Sequence, residues 1–182
     1  TRMNRDEWRR TLVAGSAGTV QVAAACATAG IVVGVASLTG IGLRMSELII
    51  TVAQGQLPIA LLLTALGSIV LGMGLPTTAA YVVLAALGAP ALTELGVPLL
   101  AAHLFIFYYG CLSNVTPPVA LAAYTAAGLA GSSPLRTGVT AMGLAIGGFL
   151  VPFAFIYDPS LLLSGTVLEI TAATLGAIIG VA

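Results

Sequence analysis

Charge is what this sequence has least of. Only 7% of its 182 residues are charged, against about a quarter in an average soluble domain, and lysine does not occur. Six arginines balance six acidic residues, so the formal net charge is zero and the basic surface that nucleic acid requires is missing. The sequence is 59% hydrophobic, with a mean hydropathy of +1.11. A soluble fold could not bury this much apolar surface away from water. The composition predicts a protein of the lipid bilayer.

The residue combinations of an enzyme are also missing. Cys26 and Cys111 lie in apolar surroundings without metal-binding spacing, and we interpret them as buried free thiols. The single histidine, His103, lies ten residues from Ser113 with no nucleophile motif. Paired carboxylates, a P-loop and an HExxH motif do not occur in the apolar segments. We therefore predict a protein that is not an enzyme and has no organic cofactor.

Long uncharged stretches separate the few charges. Between Arg10 and Arg44 lie 33 uncharged residues, between Glu47 and Glu94 lie 46, and between Glu94 and Arg136 lie 41. A helix needs about 20 apolar residues to cross a hydrocarbon core of about 30 Å. Each stretch is therefore too long for one straight span, and we expect each to be bent, broken or doubled.

The chain divides into five expected segments. In order they are an interfacial charged segment (1–12), a re-entrant hairpin (13–50), a core of broken helices (55–135), a transmembrane helix (137–157) and a C-terminal apolar helix (160–182). The hairpin is inferred from small and polar residues at the centre of a long apolar run. One tilted helix is the alternative, and the sequence favours neither. The last segment fits either a span or an interfacial helix.

Two breaks interrupt the core of broken helices, one near residues 72–78 with two glycines and a proline, and one near residues 113–118 with two prolines. Pro76, Pro117 and Pro118 are the structural breaks, because proline removes a backbone donor and disfavours helix before itself. At the depth of the membrane, such backbone is tolerated only when it is buried in protein or lines a wet cavity. The breaks therefore indicate a functional site, with simple proline kinks as the alternative.

The breaks carry neutral oxygen atoms. Freed backbone carbonyls, with the side chains of Thr77, Thr78, Ser113, Asn114 and Thr116, suit a hard cation such as sodium. The positive N-terminal ends of half-helices suit an anionic substrate group. A pair of interrupted segments is typical of the binding site of a secondary transporter.

Three motifs in order resemble a known family. They are GMGLPTTAAY at 72–81, GVP at 96–98 with AAHLF at 101–105, and TPPVALAAY at 116–124. They are similar to the C-terminal part of the large membrane subunit of tripartite ATP-independent periplasmic (TRAP) transporters. The similarity runs from about residue 10 to residue 163, and is greatest to the form in which the small and large membrane subunits are fused.

The resemblance implies an all-α integral membrane fold in which transmembrane helices combine with a re-entrant helical hairpin and broken helices, as an elevator-type transporter repeat. It implies sodium symport of organic acids (carboxylates) across the cell inner (plasma) membrane by a multi-pass permease. The implied partners are membrane lipid, the rest of the large subunit, the small membrane subunit (fused or separate) and an extracytoplasmic solute-binding protein that delivers the substrate. The chain would then be a fragment of a larger permease, comprising most of its second inverted repeat.

The resemblance also assigns site residues. The hairpin tip would lie near Thr28 to Gly30, and the unwound segment would run from Gly72 to Thr78. The expected sodium ligands, through backbone or hydroxyl oxygens, are Gly72, Gly74, Thr77, Thr78, Ser113 and Thr116. The expected substrate-binding residues are Thr28, Gly30, Thr77, Thr78, Asn114 and Thr116.

Three questions stay open at this level. The chain could instead be a non-transporting membrane scaffold or assembly module whose breaks serve packing only. The positive-inside rule places Arg44 and Arg136 in the cytoplasm, whereas the family's hairpin is expected to enter from the outer face. His103 fits a hydrogen-bonded histidine near a helix start better than a proton relay or substrate contact.

Overall fold

The computed structural model describes residues 4–181, without the side chains at positions 18, 21, 179 and 181. Over that range the fold is all-α, with no strand, as expected for a helical membrane protein. The α-helices are α1 (Arg5–Thr39), α2 (Ile41–Val52), α3 (Leu57–Gly72), α4 (Thr77–Glu94), α5 (Leu99–Leu112), α6 (Leu121–Ala130), α7 (Pro134–Leu144), α8 (Val151–Tyr157) and α9 (Val167–Val181). Short 3₁₀ helices lie at Ser113–Val115, Ile146–Phe149 and Pro159–Leu162.

Helix α1 is continuous, which differs from the hairpin expected over residues 13–50. It begins with a capping box formed by Asn4 and Glu7, and its 35 residues extend about 50 Å. The polar residue expected at a hairpin tip is satisfied within the helix, because the Thr28 hydroxyl donates to the Ala24 carbonyl at 2.9 Å. The chain turns instead at Gly40, which adopts the left-handed conformation (φ 68°) that favours glycine.

The interfacial segment expected over residues 1–12 is not a separate element. Residues 5–12 form the first turns of α1, and their side chains are exposed. Residues 1–3 lie outside the described residues.

Helix α4 lies at the centre of the fold, in contact with α1, α2, α3 and α5. The main core is built on α3 and α5, where Leu61, Phe105 and Tyr109 pack with Phe155 of α8. Alanines such as Ala102 fill much of the remaining core and allow close helix packing, as is common in membrane bundles.

Within the described residues, α1 and α4 are long and apolar enough to cross a membrane. Large apolar side chains cover much of the outer surface, including Leu38, Leu129 and Leu144, whose exposed fractions are 90%, 89% and 84%. Such a surface fits contact with lipid or with other membrane segments.

The transmembrane helix expected over residues 137–157 is bent. Helix α7 and the segment Ile146–Tyr157, which contains the 3₁₀ turn at Ile146–Phe149 and α8, meet at an angle of 60°. The turn contains two glycines, and Pro152, the second residue of α8, has no backbone donor. The C-terminal apolar helix starts later than residue 160, at Val167, after a second 3₁₀ turn.

Candidate ion and substrate site at two helix breaks

The first break separates α3 from α4. Helix α3 ends at Gly72 and α4 begins at Thr77, so residues 73–76 link two half-helices. Gly74 has a φ of 81°, and the Leu75 amide donates to the Gly72 carbonyl at 3.3 Å. A break of this kind leaves carbonyls at the end of one half-helix and amides at the start of the next without helical partners.

The start of α4 has no side-chain cap. Pro76 occupies the N-cap position, and the first helical bond runs from the Ala80 amide to the Pro76 carbonyl at 2.9 Å. The amides of Thr77, Thr78 and Ala79 therefore have no helical acceptor. Across residues 4–181, the structure gives the Thr77 and Thr78 hydroxyls no hydrogen-bond partner; Thr77 is half-buried and Thr78 is exposed. These polar groups are available to a ligand.

The second break follows α5. Ser113, Asn114 and Val115 form a 3₁₀ turn, and the chain resumes as α6 only at Leu121. Pro117 and Pro118, joined by a cis peptide bond, lie within this interval. The second break thus lies where the two prolines predicted it from the sequence.

Buried hydroxyls line the second break. Ser113 donates to the Gly110 carbonyl at 2.6 Å, and Thr116 donates to the Leu112 carbonyl at 2.8 Å. Only 1% of Ser113 and 6% of Thr116 is exposed. Because each hydroxyl hydrogen is used by a carbonyl, the oxygen lone pairs remain free to face a cation.

The two breaks lie against each other. A Cβ atom added at Gly72 would lie 2.9 Å from the Ser113 hydroxyl oxygen and 3.5 Å from the Gly110 Cα. One added at Gly74 would lie 3.9 Å from a methyl group of Val119. Gly72 therefore permits a close approach between the end of α3 and the Ser113 hydroxyl of the second break, and Gly74 lies in ordinary van der Waals contact with the chain just after that break.

A family model described as tripartite ATP-independent periplasmic transporter, DctM component, matches residues 1–170. The chain belongs to this family. No curated protein and no solved structure matches it. The DctM family comprises transporter components, not enzymes, and membership implies association with the membrane and with the small subunit and binding protein of TRAP systems.

Most of the site residues expected from the sequence occupy the two breaks of this DctM chain. Gly72 and Ser113 are in direct contact, and Thr77 and Thr78 form the first turn of α4. Asn114 lies between the buried hydroxyls of the second break, where its amide donates to the Cys111 carbonyl at 3.3 Å.

Thr28 and Gly30 lie apart from this arrangement. Both are exposed on α1, and a Cβ at Gly30 would meet nothing within 4 Å. Because α1 is continuous there, no hairpin tip presents them to a ligand. Their role in substrate binding stays a prediction, without the local turn on which it was based.

Two polar contacts of this DctM chain were not predicted from the sequence. The Tyr124 hydroxyl donates to the Pro118 carbonyl at 2.7 Å and supports the second break from α6. The Tyr81 hydroxyl lies 2.9 Å from Nδ1 of His103, which places the histidine in a contact between α4 and α5 near the start of α5. A tyrosine one turn beyond a helix start was the available signal in both cases.

A separate cavity of about 240 Å³ lies between α2, α3 and α4. Its walls are mainly apolar side chains such as Met45, Leu71 and Leu84, with Thr64 and Ser68 among them. A carboxylate or a sodium ion needs several converging polar groups. The paired breaks offer these groups, and the cavity does not.

Proposed function

We propose that this DctM chain is the permease segment of a sodium-coupled secondary transporter that imports organic acids. One observation carries the proposal: two helix breaks, both rich in oxygen atoms, lie in direct contact through Gly72 and Ser113. Unwound backbone at membrane depth is typical of ion and substrate sites in secondary transporters.

The sodium ligands in this proposal are neutral oxygens. Backbone oxygens at Gly72 and Gly74 and the hydroxyls of Thr77, Thr78, Ser113 and Thr116 supply them. In the described residues, no group of three or more His, Cys, Asp or Glu side chains comes together that would hold a metal by charge. A neutral set stabilises sodium without trapping it, which suits an ion that must be released in each cycle.

The substrate carboxylate is assigned to the start of α4. Three backbone amides and two threonine hydroxyls are free there, at the positive end of the helix dipole. Thr78 is exposed, so an incoming ligand can reach this helix end. Asn114 and Thr116 of the second break would bind the remaining polar groups of the substrate.

Membership of the family supports the remaining parts of the proposal. An extracytoplasmic solute-binding protein delivers the organic acid, and the rest of the large subunit and a small subunit, fused or separate, complete the permease. The assembly is a multi-pass protein of the cell inner membrane in contact with lipid, and works by an elevator mechanism.

The test is uptake by the complete transporter with its binding protein, measured with and without a sodium gradient. Thr77→Val and Thr116→Val each remove a hydroxyl while preserving side-chain shape. We expect both to raise the sodium concentration at half-maximal uptake about 10- to 150-fold, because one lost ligand contact to a cation is worth about 1.5–3 kcal/mol.

Thr140→Val is the matched control. Thr140 is exposed on α7, and its hydroxyl donates to the Arg136 carbonyl at 2.9 Å, so its only hydrogen bond among the described residues lies within its own helix. Sodium dependence that is unchanged in both Thr77→Val and Thr116→Val would exclude these ligands.

The second candidate is a membrane scaffold or assembly module. The close approach of Gly72 to Ser113 favours it, since the breaks would then serve helix packing alone. In that case the valine variants would leave uptake by the assembled system unchanged, while substitution of Gly72 would still destabilise the chain.

A further inference from the structure

Tyr81 and His103 connect α4 to α5. The Tyr81 hydroxyl lies 2.9 Å from Nδ1 of His103. The phenol ring also packs edge-on against Phe107, with ring centroids 5.6 Å apart and an interplanar angle of 89°. His103 and Phe107 are one turn apart on α5 and thus share the helix face that receives Tyr81. In the part of the chain that the structure describes, no other side chain–side chain hydrogen bond joins two α-helices.

This contact lies close to the first break. Tyr81 is one turn beyond Thr77, and residues four apart lie on the same helix face. A rotation of α4 that displaces Tyr81 therefore displaces Thr77 as well. Because α4 has no side-chain cap, the hydrogen bond of Tyr81 is the side-chain tie nearest to the start of α4 among the described residues.

The opposite side of the same break also rests on α5. Gly72 lies against Gly110, in the last turn of α5, and against Ser113, the residue directly after that helix. Residues 73–76 thus connect two points that are both held by α5. The distance between the half-helices depends on both attachments.

We propose that Tyr81 and His103 are positioning residues that hold the first turn of α4 at a fixed distance from the second break, and so set the affinity for the coupling sodium ion. This inference rests on the sodium coupling proposed above. Ligands held in place before binding give a higher affinity, because less order has to be imposed when the ion arrives. Loss of one neutral hydrogen bond corresponds to a change of about 2- to 10-fold.

The test uses sodium-dependent uptake by the complete transporter. Tyr81→Phe retains the ring packing on Phe107 and removes the hydroxyl, and His103→Leu removes the ring nitrogens. Each is expected to raise the sodium concentration at half-maximal uptake about 2- to 10-fold, with an unchanged maximal rate at saturating sodium. The double variant should be no worse than either single variant, because both remove the same contact.

Conservative and distant variants make the test specific. His103→Asn places an amide where Nδ1 stood and should restore the sodium affinity of the wild type, whichever group donates. Tyr157→Phe is the matched control: Tyr157 is exposed on α8 and has no hydrogen-bond partner within residues 4–181. Unchanged affinity in Tyr81→Phe, or His103→Asn behaving like His103→Leu, would overturn the positioning role.

Hydrogen exchange separates this inference from the proposed function. Uptake without sodium dependence in the wild type would refute sodium coupling. The positioning contact then remains measurable as amide exchange across residues 72–81 in the purified transporter. We expect faster exchange in Tyr81→Phe than in the wild type and in Tyr157→Phe. Equal exchange in all three proteins would overturn the contact itself.

Discussion

Single atoms decide how closely the two breaks approach. Gly72 is buried because it has no side chain to keep Ser113 away, and the Ser113 hydroxyl is turned towards the Gly110 carbonyl. The same geometry orients the Ser113 lone pairs. In the proposed sodium site, the same two residues would thus determine both the helix packing and the position of one ligand oxygen.

Gly72→Ala is expected to destabilise the protein by about 1–3 kcal/mol, because the new methyl group would lie 2.9 Å from the Ser113 hydroxyl oxygen. The measurement is the midpoint of thermal unfolding of the purified transporter. Gly67→Ala, also on α3, is the control, since a Cβ there meets nothing within 4 Å. Addition of Ser113→Ala should recover part of the loss. A Gly72→Ala variant as stable as Gly67→Ala would contradict the close approach.

Whether a helix continues or breaks depends on where its polar groups find partners. Small polar residues near Thr28 made a hairpin plausible, yet each hydroxyl can be satisfied by the preceding turn of one helix, and no proline lies between Arg5 and Thr39. The break at residues 73–76 was predictable because Pro76 has no backbone donor to continue α3. The bend between α7 and the 3₁₀ turn at Ile146–Phe149 had a signal in the two glycines of that turn, which the expectation of one straight span overlooked.

A distance measurement distinguishes the two forms of α1. With Cys26 and Cys111 replaced by alanine, spin labels at Val20→Cys and Leu38→Cys should lie about 27 Å apart, from a rise of about 1.5 Å per residue. Both positions are exposed. A hairpin that turned near residue 29 would bring them to about 10 Å, the distance between packed helices. Pulsed electron paramagnetic resonance of the complete transporter measures the difference.

The scarcity of charge that marks the whole molecule also holds at the two breaks, where no charged residue occurs.

The membrane class and the break residues could be predicted from the sequence, since apolar composition and clusters of glycine and proline are local signals. The contact between Gly72 and Ser113 could not, because it joins residues 41 positions apart through the packing of α3 on α5. The Tyr81–His103 bond likewise depends on the register of α4 against α5.

A site of neutral oxygens should discriminate against divalent ions. Removing water from calcium costs far more than from sodium, and no carboxylate at the breaks compensates. Calcium at constant ionic strength is expected neither to support uptake nor to shift the sodium concentration at half-maximal uptake. Competition between calcium and sodium would reveal an acidic ligand contributed from elsewhere. This prediction depends on the proposed sodium coupling.

The attachment of both breaks to α5 has a mechanical consequence. Gly72 rests on the end of this helix, Ser113 extends directly from it, and Tyr81 is bonded to its second turn. A displacement of α5 along the membrane normal carries all of these points by the same amount. In the proposed elevator mechanism, the bound ion and substrate would then cross the bilayer together with this rigid body, and the barrier to the movement would come from the surrounding lipid and neighbouring subunits.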